Sequence, residues 1–414
     1  MQASQSNFFD AIVAGAGPAG STCALFLARA GLKVLLLDKA KFPRDKVCAD
    51  NKTWLCTSIL RELGLWQKFL KLPKQEVHSL VFTTPGREKI IVELDSGKMR
   101  SHGPHYNVRR TVFDNFLFQA AKKQGNVKAI EGFWIKKVLQ NEQNFVVGVE
   151  GIDSRGYPTK FFAKVVVAAD GSESAVAASA GINPIVPGRH ALSARAYYSG
   201  VECHSRAVEL HYLKGVAPGY FWIFPVDRGW CNVGVGLPAA AAAERKIDLS
   251  KLLEQIIRSP EFSPRFNKAR KVSATGVWGV TIILKRRPCC GNGLLLAGDA
   301  ANTAVAFGGE GVGPAMRSAK MAAAAVEKAF SAGDFSHEFF KKHYEGELWK
   351  IRSRENRGAS ALEFLTTHPK VFDFVVRRAS RHEKLLQLAS EITSDYANAA
   401  KIISPRTIAR LLVG

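Results

Sequence analysis

The chain has 414 residues, 47% hydrophobic, 10% aromatic and 23% charged, a composition that excludes disordered and fibrous classes and leaves room for two or three globular cores. Its 58 Lys and Arg against 36 Asp and Glu give a net charge of +22, an excess that attracts phosphates on lipid headgroups, nucleotides or charged substrates. These cations are spread along the chain without a basic tail, and no zinc-finger, RNA-binding or basic-zipper module accompanies them, so nucleic acid is not an expected partner.

The seven cysteines are odd in number and irregular in spacing, which speaks against a disulfide framework and for a reducing compartment. The adjacent Cys289 and Cys290 read as loop residues ahead of a buried strand. No charged leader precedes an apolar run at the start, and no long uncharged apolar stretch free of glycine predicts a membrane-spanning helix. The expected location is cytoplasmic, with any membrane contact peripheral.

In chain order, residues 9–38 predict strand, tight turn, helix and strand: "FDAIVAGAGPAG", then "STCALFLARAGL", then "KVLLLD". "KFPRDKVCADNK" follows as a loop, and "NKTWLCTSILRELGLWQKFL" as one amphipathic helix. Residues 76–100 predict a hairpin turning at Pro85-Gly86. "VRRTVFDNFLFQAAKKQG" is helical; "VKAIEGFWIKKVLQ", "NFVVGVEG" and "PTKFFAKVVVAAD" are strands. A second strand-rich block runs from beyond Pro184 to about residue 238, with "HALSARAYYSGV", "AVELHYL", "GYFWIFPV" and "WCNVGVGL". After the helix "DLSKLLEQIIRS", "GLLLAGDAA" predicts a buried strand, "GVGPAMRSAKMAAAAVEKAF" a long helix, and residues 335–414 are mostly helical.

"GAGPAG" places Gly15, Gly17 and Gly20 in the G-x-G-x-x-G spacing between strand and helix, with Ala19 beside the third glycine. The first glycine allows the turn, the second lets a pyrophosphate approach the backbone, and the third lets helix pack on strand. Asp38, 18 residues after Gly20, ends the second strand, where a carboxylate accepts ribose hydroxyls; Lys39 follows it. An adenine dinucleotide site is expected. Further on, Asp170-Gly171 ends one buried strand and Gly298-Asp299 another, the latter followed by a second glycine-rich turn with Gly309, Gly311 and Val312.

These three elements in this order resemble flavoprotein monooxygenases and reductases of the para-hydroxybenzoate hydroxylase fold. The resemblance implies FAD as cofactor, with Asp170 beside the pyrophosphate, Asp299 at the ribitol, the turn at Gly309 to Val312 facing the flavin ring, and Arg110 of "RRTVFDNFL" helping to hold FAD. It implies an α/β chain: a Rossmann-like, glutathione-reductase-type FAD-binding domain (1–75, 101–185 and 275–335), interrupted by an α+β substrate domain with an antiparallel sheet (76–100 and 186–274), and a C-terminal helical region (336–414).

Within that fold the chain resembles the geranylgeranyl reductase family, through "YFWIFPVDRGWCNVG": Tyr220, Trp222, Phe224 and Pro225, then Val233 and Gly234. Alternate positions 220, 222 and 224 share one face of a strand and offer an aromatic wall to an apolar substrate. "FPRDKVCAD" matches the family stretch whose cysteine lines the substrate cavity, so Cys48 is the candidate catalytic residue and Arg44 a cofactor neighbour. Two positions depart from the family: Ala49 replaces a glycine, and Ala306 replaces a proline.

The resemblance implies hydride transfer from reduced FAD to a carbon-carbon double bond of an isoprenoid or other lipid-like substrate, with NAD(P)H or another reductant as electron donor. Such a reduction also needs an acid near the flavin. The expected partner is a hydrophobic small molecule, carrying a phosphate that "RFNKARK" or "LKRRP" would contact. Two alternatives stay open: an FAD-dependent monooxygenase or halogenase on an aromatic or polyketide-like substrate, and a flavin protein that only sequesters lipid. Oligomeric state is not legible.

Overall fold

The computed structural model describes residues 7–94, 103–182, 190–282, 285–305, 308–394 and 396–413. Ala306 and the end of the predicted hairpin at 95–100 lie outside the described residues.

Short, continuously apolar strands read as the buried centre of a parallel sheet, and they assemble that way. In the order Leu294–Leu296, Pro158–Ala168, Phe8–Ala14, Val34–Asp38 and Val127–Glu131, neighbouring strands all run parallel. Val146–Ile152 and Trp134–Gln140 form an antiparallel wing on the first half of Pro158–Ala168, and Cys290–Gly291, beyond Leu294–Leu296 on the same side of that strand, closes the edge away from Val127–Glu131 in this eight-stranded sheet. Helices Pro18–Arg29, Arg110–Lys122 and Val312–Ala332 supply the cover. Parallel strands end at one edge, so the turns after Ala14, Asp38, Ala168 and Leu296 open together.

The second eight-stranded sheet runs Arg270–Lys271, His190–Ser199, Trp230–Pro238, Tyr220–Pro225, Ala207–His211, Ser79–Thr83 and Lys89–Glu93, with Gly276–Thr281 pairing His190–Ser199 as well. It is antiparallel except where Ala207–His211 meets Ser79–Thr83. Period-two alternation sorts Tyr220–Pro225 onto two cores: Phe221 and Ile223 pack toward helix Leu249–Ile257, whereas Trp222 and Phe224 pack with Leu362, Leu365, Phe372 and Val376 of the C-terminal helices. Gly234 makes room for the wall, since a Cβ there would stand 2.2 Å from the Trp222 ring.

Three expectations are corrected. The single helix over 51–70 is a strand, Asn51–Lys52, and two helices, Trp54–Glu62 and Trp66–Leu70, parted at Gly64 with φ +60°. That strand joins His105–Asn107 and Gln75–Val77 in a three-stranded sheet with no single-strand signature. The FAD-binding segment drawn from 275 begins too early, because Gly276–Thr281 completes the second sheet. Cys290 lies in a strand and not a loop. Among the described residues no helix is long and apolar enough to cross a membrane.

Candidate functional site

One cavity of about 1140 Å³ runs from the dinucleotide turn, past the loop at Cys48, to the apolar space between the second sheet and the C-terminal helices. Gly15, Gly17, Ala19, Asp38, Lys39, Arg44, Cys48, Arg110, Asp170, Gly171, Tyr220, Trp222, Phe224, Asp299, Gly309, Gly311 and Val312 all line it. Gly20 and Pro225 do not. A Cβ on Gly20 would stand 1.7 Å from the Gly15 carbonyl oxygen, so Gly20 acts in packing; Pro225 gives its carbonyl to Asn107 Nδ2 at 2.7 Å.

At the dinucleotide end, Gly15 takes φ +91° and a Cβ there would stand 2.4 Å from the Ala169 carbonyl oxygen, so only glycine fits. Asp38 Oδ2 accepts from the Ala16 amide at 2.7 Å and Oδ1 from Ala40 at 2.8 Å, which fixes the carboxylate while lone pairs remain for hydroxyl donors. Asp170 Oδ1 is buried with no hydrogen-bond partner among the described residues, and burial pushes that carboxyl up. A glycine cradle before a helix N-terminus, an anchored carboxylate and an unpaired buried oxygen together fit an adenine dinucleotide.

At the centre, Arg110 clasps Asp114 through two bonds of 2.7 and 2.6 Å, and Arg44 Nη1 lies 3.0 Å from the same carboxylate. Burial works against the Arg110 charge, yet Asp114, and after it Cys48, hold its pKa above the usual arginine value. Arg110 thus stands beside the Cys48 thiol. Arg44 lies over the Phe42 ring, its centre 5.1 Å away, and Lys46 reaches Asp299 at 3.3 Å.

Cys48 is half-buried, and its Sγ accepts from the Asp50 amide at 3.4 Å. Asp50, at φ 70°, is buried with Oδ2 accepting from Tyr197 Oη at 2.6 Å and Asn232 Nδ2 at 2.8 Å. Burial pushes its carboxyl up against the pull of Lys52 and Arg195. Asn232 also donates to the Cys48 carbonyl at 2.6 Å and accepts from Trp222 Nε1 at 2.9 Å. This polar knot was not anticipated; its only sequence signal is an acid two residues after the cysteine.

Glu310 was also missed, although it is the one charged residue in "GGEGVG". It lines the cavity, and its Oε1 accepts from Thr53 Oγ1 at 2.6 Å. Burial pushes its carboxyl up to about 7, with Glu355 adding to the rise and Thr53 and Arg317 opposing it. Nearby, Tyr220 Oη donates to the Gly308 carbonyl at 2.7 Å, tying the aromatic strand to the glycine turn. The expected headgroup stretches do not line the cavity: Arg265 is paired with Glu209 and Arg286 with Glu345, and Leu284 lies outside the described residues.

A family model described as an FAD binding domain matches residues 9–333. A digeranylgeranylglycerophospholipid reductase of Methanococcoides burtonii is 32% identical over 81% of this chain and 78% of its own length. The chain belongs to the geranylgeranyl reductase family of FAD-dependent oxidoreductases. Conditioned medium factor receptor 1 of Dictyostelium discoideum is 27% identical over 91% of this chain and 75% of its own length. Among solved structures, a geranylgeranyl bacteriochlorophyll reductase-like protein of Thermoplasma acidophilum superposes with a TM-score of 0.82, covering 95% of this chain and 98% of that one, at 23% identity. That likeness concerns the fold, and this member of the family departs from its pattern at Ala49, which packs against the aromatic core.

Proposed function

We propose that this flavoprotein reduces carbon-carbon double bonds of an isoprenoid lipid bearing a phosphate, drawing electrons from NAD(P)H or another donor at a membrane surface. The supporting observation is the continuity of the cavity: the space that fits the dinucleotide leads, past Cys48 and Tyr220, into a chamber walled by Trp222, Phe224, Leu362, Phe372 and Val376. An apolar chain bound there needs no polar anchor along its length. The net charge of +22 favours an anionic headgroup and an anionic lipid surface.

FAD supplies hydride chemistry when bound. Gly15, Asp38 and Asp170 would hold its adenosine and diphosphate, and Asp299 with the turn at Gly309 to Val312 its inner half. The protein's own part is to orient: Asn232 fixes both the Trp222 ring and the Cys48 loop, and the aromatic wall keeps water from the reacting carbons. The name of the family's phospholipid reductases supports this choice of substrate class.

Anaerobic incubation of the FAD-loaded protein with dithionite and a digeranylgeranylglycerophospholipid should give products heavier by two hydrogens per bond reduced. An unchanged lipid mass across a panel of prenyl lipids would overturn the reading. A product heavier by one oxygen, formed from an aromatic substrate with O₂, would favour the monooxygenase reading instead.

A further inference from the structure

We propose that Glu310 is the catalytic acid of this site, delivering to the substrate the proton that completes saturation of the double bond. The inference rests on the reductase reading above.

Saturating an alkene adds two electrons with one hydrogen, as hydride from the reduced cofactor, to one carbon, and a proton to the other. In the protein's half of the step a carboxyl O–H bond breaks and a C–H bond forms, leaving a carboxylate that regains its proton from water. A candidate acid must therefore line the cavity where the cofactor turn meets the aromatic wall, with an oxygen free to face the substrate.

The other carboxyls of the cavity fail this requirement on geometry, and Glu173 and Glu363, which also line it, are exposed to water. Asp38 is held by two backbone amides, Asp45 is paired with Arg195, and Asp299 is paired with Lys46. Asp170 lies at the dinucleotide end. Asp50 is 0% exposed, and both its oxygens already accept, Oδ1 from the Arg110 amide at 3.2 Å and Oδ2 from Tyr197 and Asn232. The Tyr220 hydroxyl proton is committed to the Gly308 carbonyl. Cys48 Sγ accepts from a backbone amide, as a thiol or thiolate would.

Glu310 differs in each respect. It sits in the turn that opens helix Val312–Ala332, lines the cavity beside Thr53 and Tyr220, and is in none of the ion pairs of the described residues. Among the described residues its single side-chain partner is the neutral Thr53 hydroxyl on Oε1, which leaves Oε2 for the substrate. The charged and titratable groups packed around it are Glu355 of helix Gly346–Thr367, Arg317 of its own helix and Cys56 of helix Trp54–Glu62. Arg317 is itself taken by Glu355 at 2.7 Å, so burial prevails and the carboxyl keeps its proton to about pH 7.

Two variants separate the acid role from a structural tie between Glu310 and Thr53. Glu310→Gln keeps the acceptor for Thr53 and loses the transferable proton; Thr53→Val keeps the acid and loses the tie. With pre-reduced protein and a digeranylgeranylglycerophospholipid, single-turnover reduction should fall by about 10²-fold or more in Glu310→Gln, with FAD content unchanged. The wild-type rate should decline above about pH 7, and this limb should vanish in Glu310→Gln but persist, moved to higher pH, in Thr53→Val. Without substrate, infrared difference spectra should show a carboxylic-acid band titrating near pH 7 that Glu310→Gln removes.

A Glu310→Gln variant within about threefold of wild type, with the same pH limb, would overturn the proposal while leaving the reductase reading intact. So would an infrared band that titrates in the ordinary carboxylate range. A wild-type protein that reduces no prenyl lipid would instead remove the reductase reading, and the acid role with it.

Discussion

The side-chain amide of Asn232 donates to the carbonyl of Cys48 at 2.6 Å while its oxygen accepts from the indole of Trp222 at 2.9 Å. One fully buried residue therefore sets the distance between the cysteine loop and the aromatic wall. Replacing Asn232 with Ala leaves the Trp222 N–H, the Cys48 carbonyl and one Asp50 oxygen short of a partner. At about 1–3 kcal/mol for a buried polar group left unsatisfied, the variant should lose on the order of 3 kcal/mol, measured as a lower urea midpoint at unchanged slope. A midpoint equal to wild type would mean that water replaces the amide and that the knot is not a rigid spacer.

Cys48 is held by Asn232 at its carbonyl and by the Asp50 amide at its Sγ, a bond that a serine hydroxyl can also accept, so Cys48→Ser should fold and hold FAD as the parent does. The hydroxyl is shorter than the thiol and should shift the substrate against the cofactor, lowering turnover by up to about 10²-fold or changing which bonds are reduced. Product mass profiles and flavin absorbance read the two effects separately. Unaltered kinetics and products would make Cys48 a loop residue without a chemical part.

Asp114 receives both Arg110 and Arg44 in a space where its own side chain is 0% exposed. Burial alone would raise its carboxyl, but Arg110 and then Arg44 hold it below the usual carboxylate range. Asp114→Ala removes the charge and leaves two guanidinium groups without it, which should cost about 3–5 kcal/mol and weaken FAD retention, because Arg44 stands over Gly17. Calorimetry with and without added FAD checks both parts; a stability loss below about 1 kcal/mol would show that the pair is solvated like a surface bridge.

What could be read from sequence follows from how local each signal is. The dinucleotide turn is a matter of spacing within one strand and one helix, and the sheet assembled around it as expected. The wall of Tyr220, Trp222 and Phe224 was legible because a strand repeats every two residues. The apolar residues that face this wall, Leu362, Phe372 and Val376, were not: an amphipathic helix announces that one face is buried and says nothing of what it meets. The knot of Asp50, Asn232 and Tyr197 joins residues 182 and 147 positions apart, and no short window contains it. Glu310 was within reach, since a lone acid among glycines invites a question that the glycines' own role obscured.

A last consequence concerns acid stability and arises on the face of strand Ala207–His211 opposite the cavity-lining Val208 and Leu210. Glu209, buried in the second sheet, is gripped by Arg265 at 2.6 and 2.8 Å and lies 3.3 Å from His211 Nε2. Burial would raise its carboxyl, but His211 and Arg265 more than offset this and hold it at about 2, below the usual 4.5. A carboxyl with a lowered pKa in the folded state stabilises at pH above its unfolded value, and that stabilisation fades as pH falls from about 5 toward 2. The contribution at neutral pH is on the order of 3 kcal/mol. Glu209→Gln should therefore melt well below wild type at pH 7, with the gap narrowing steadily as the solution is acidified. Melting curves at pH 7, 5, 4 and 3 measure it, and a gap that stays constant across that range would mean that Glu209 contributes through packing and not through its charge.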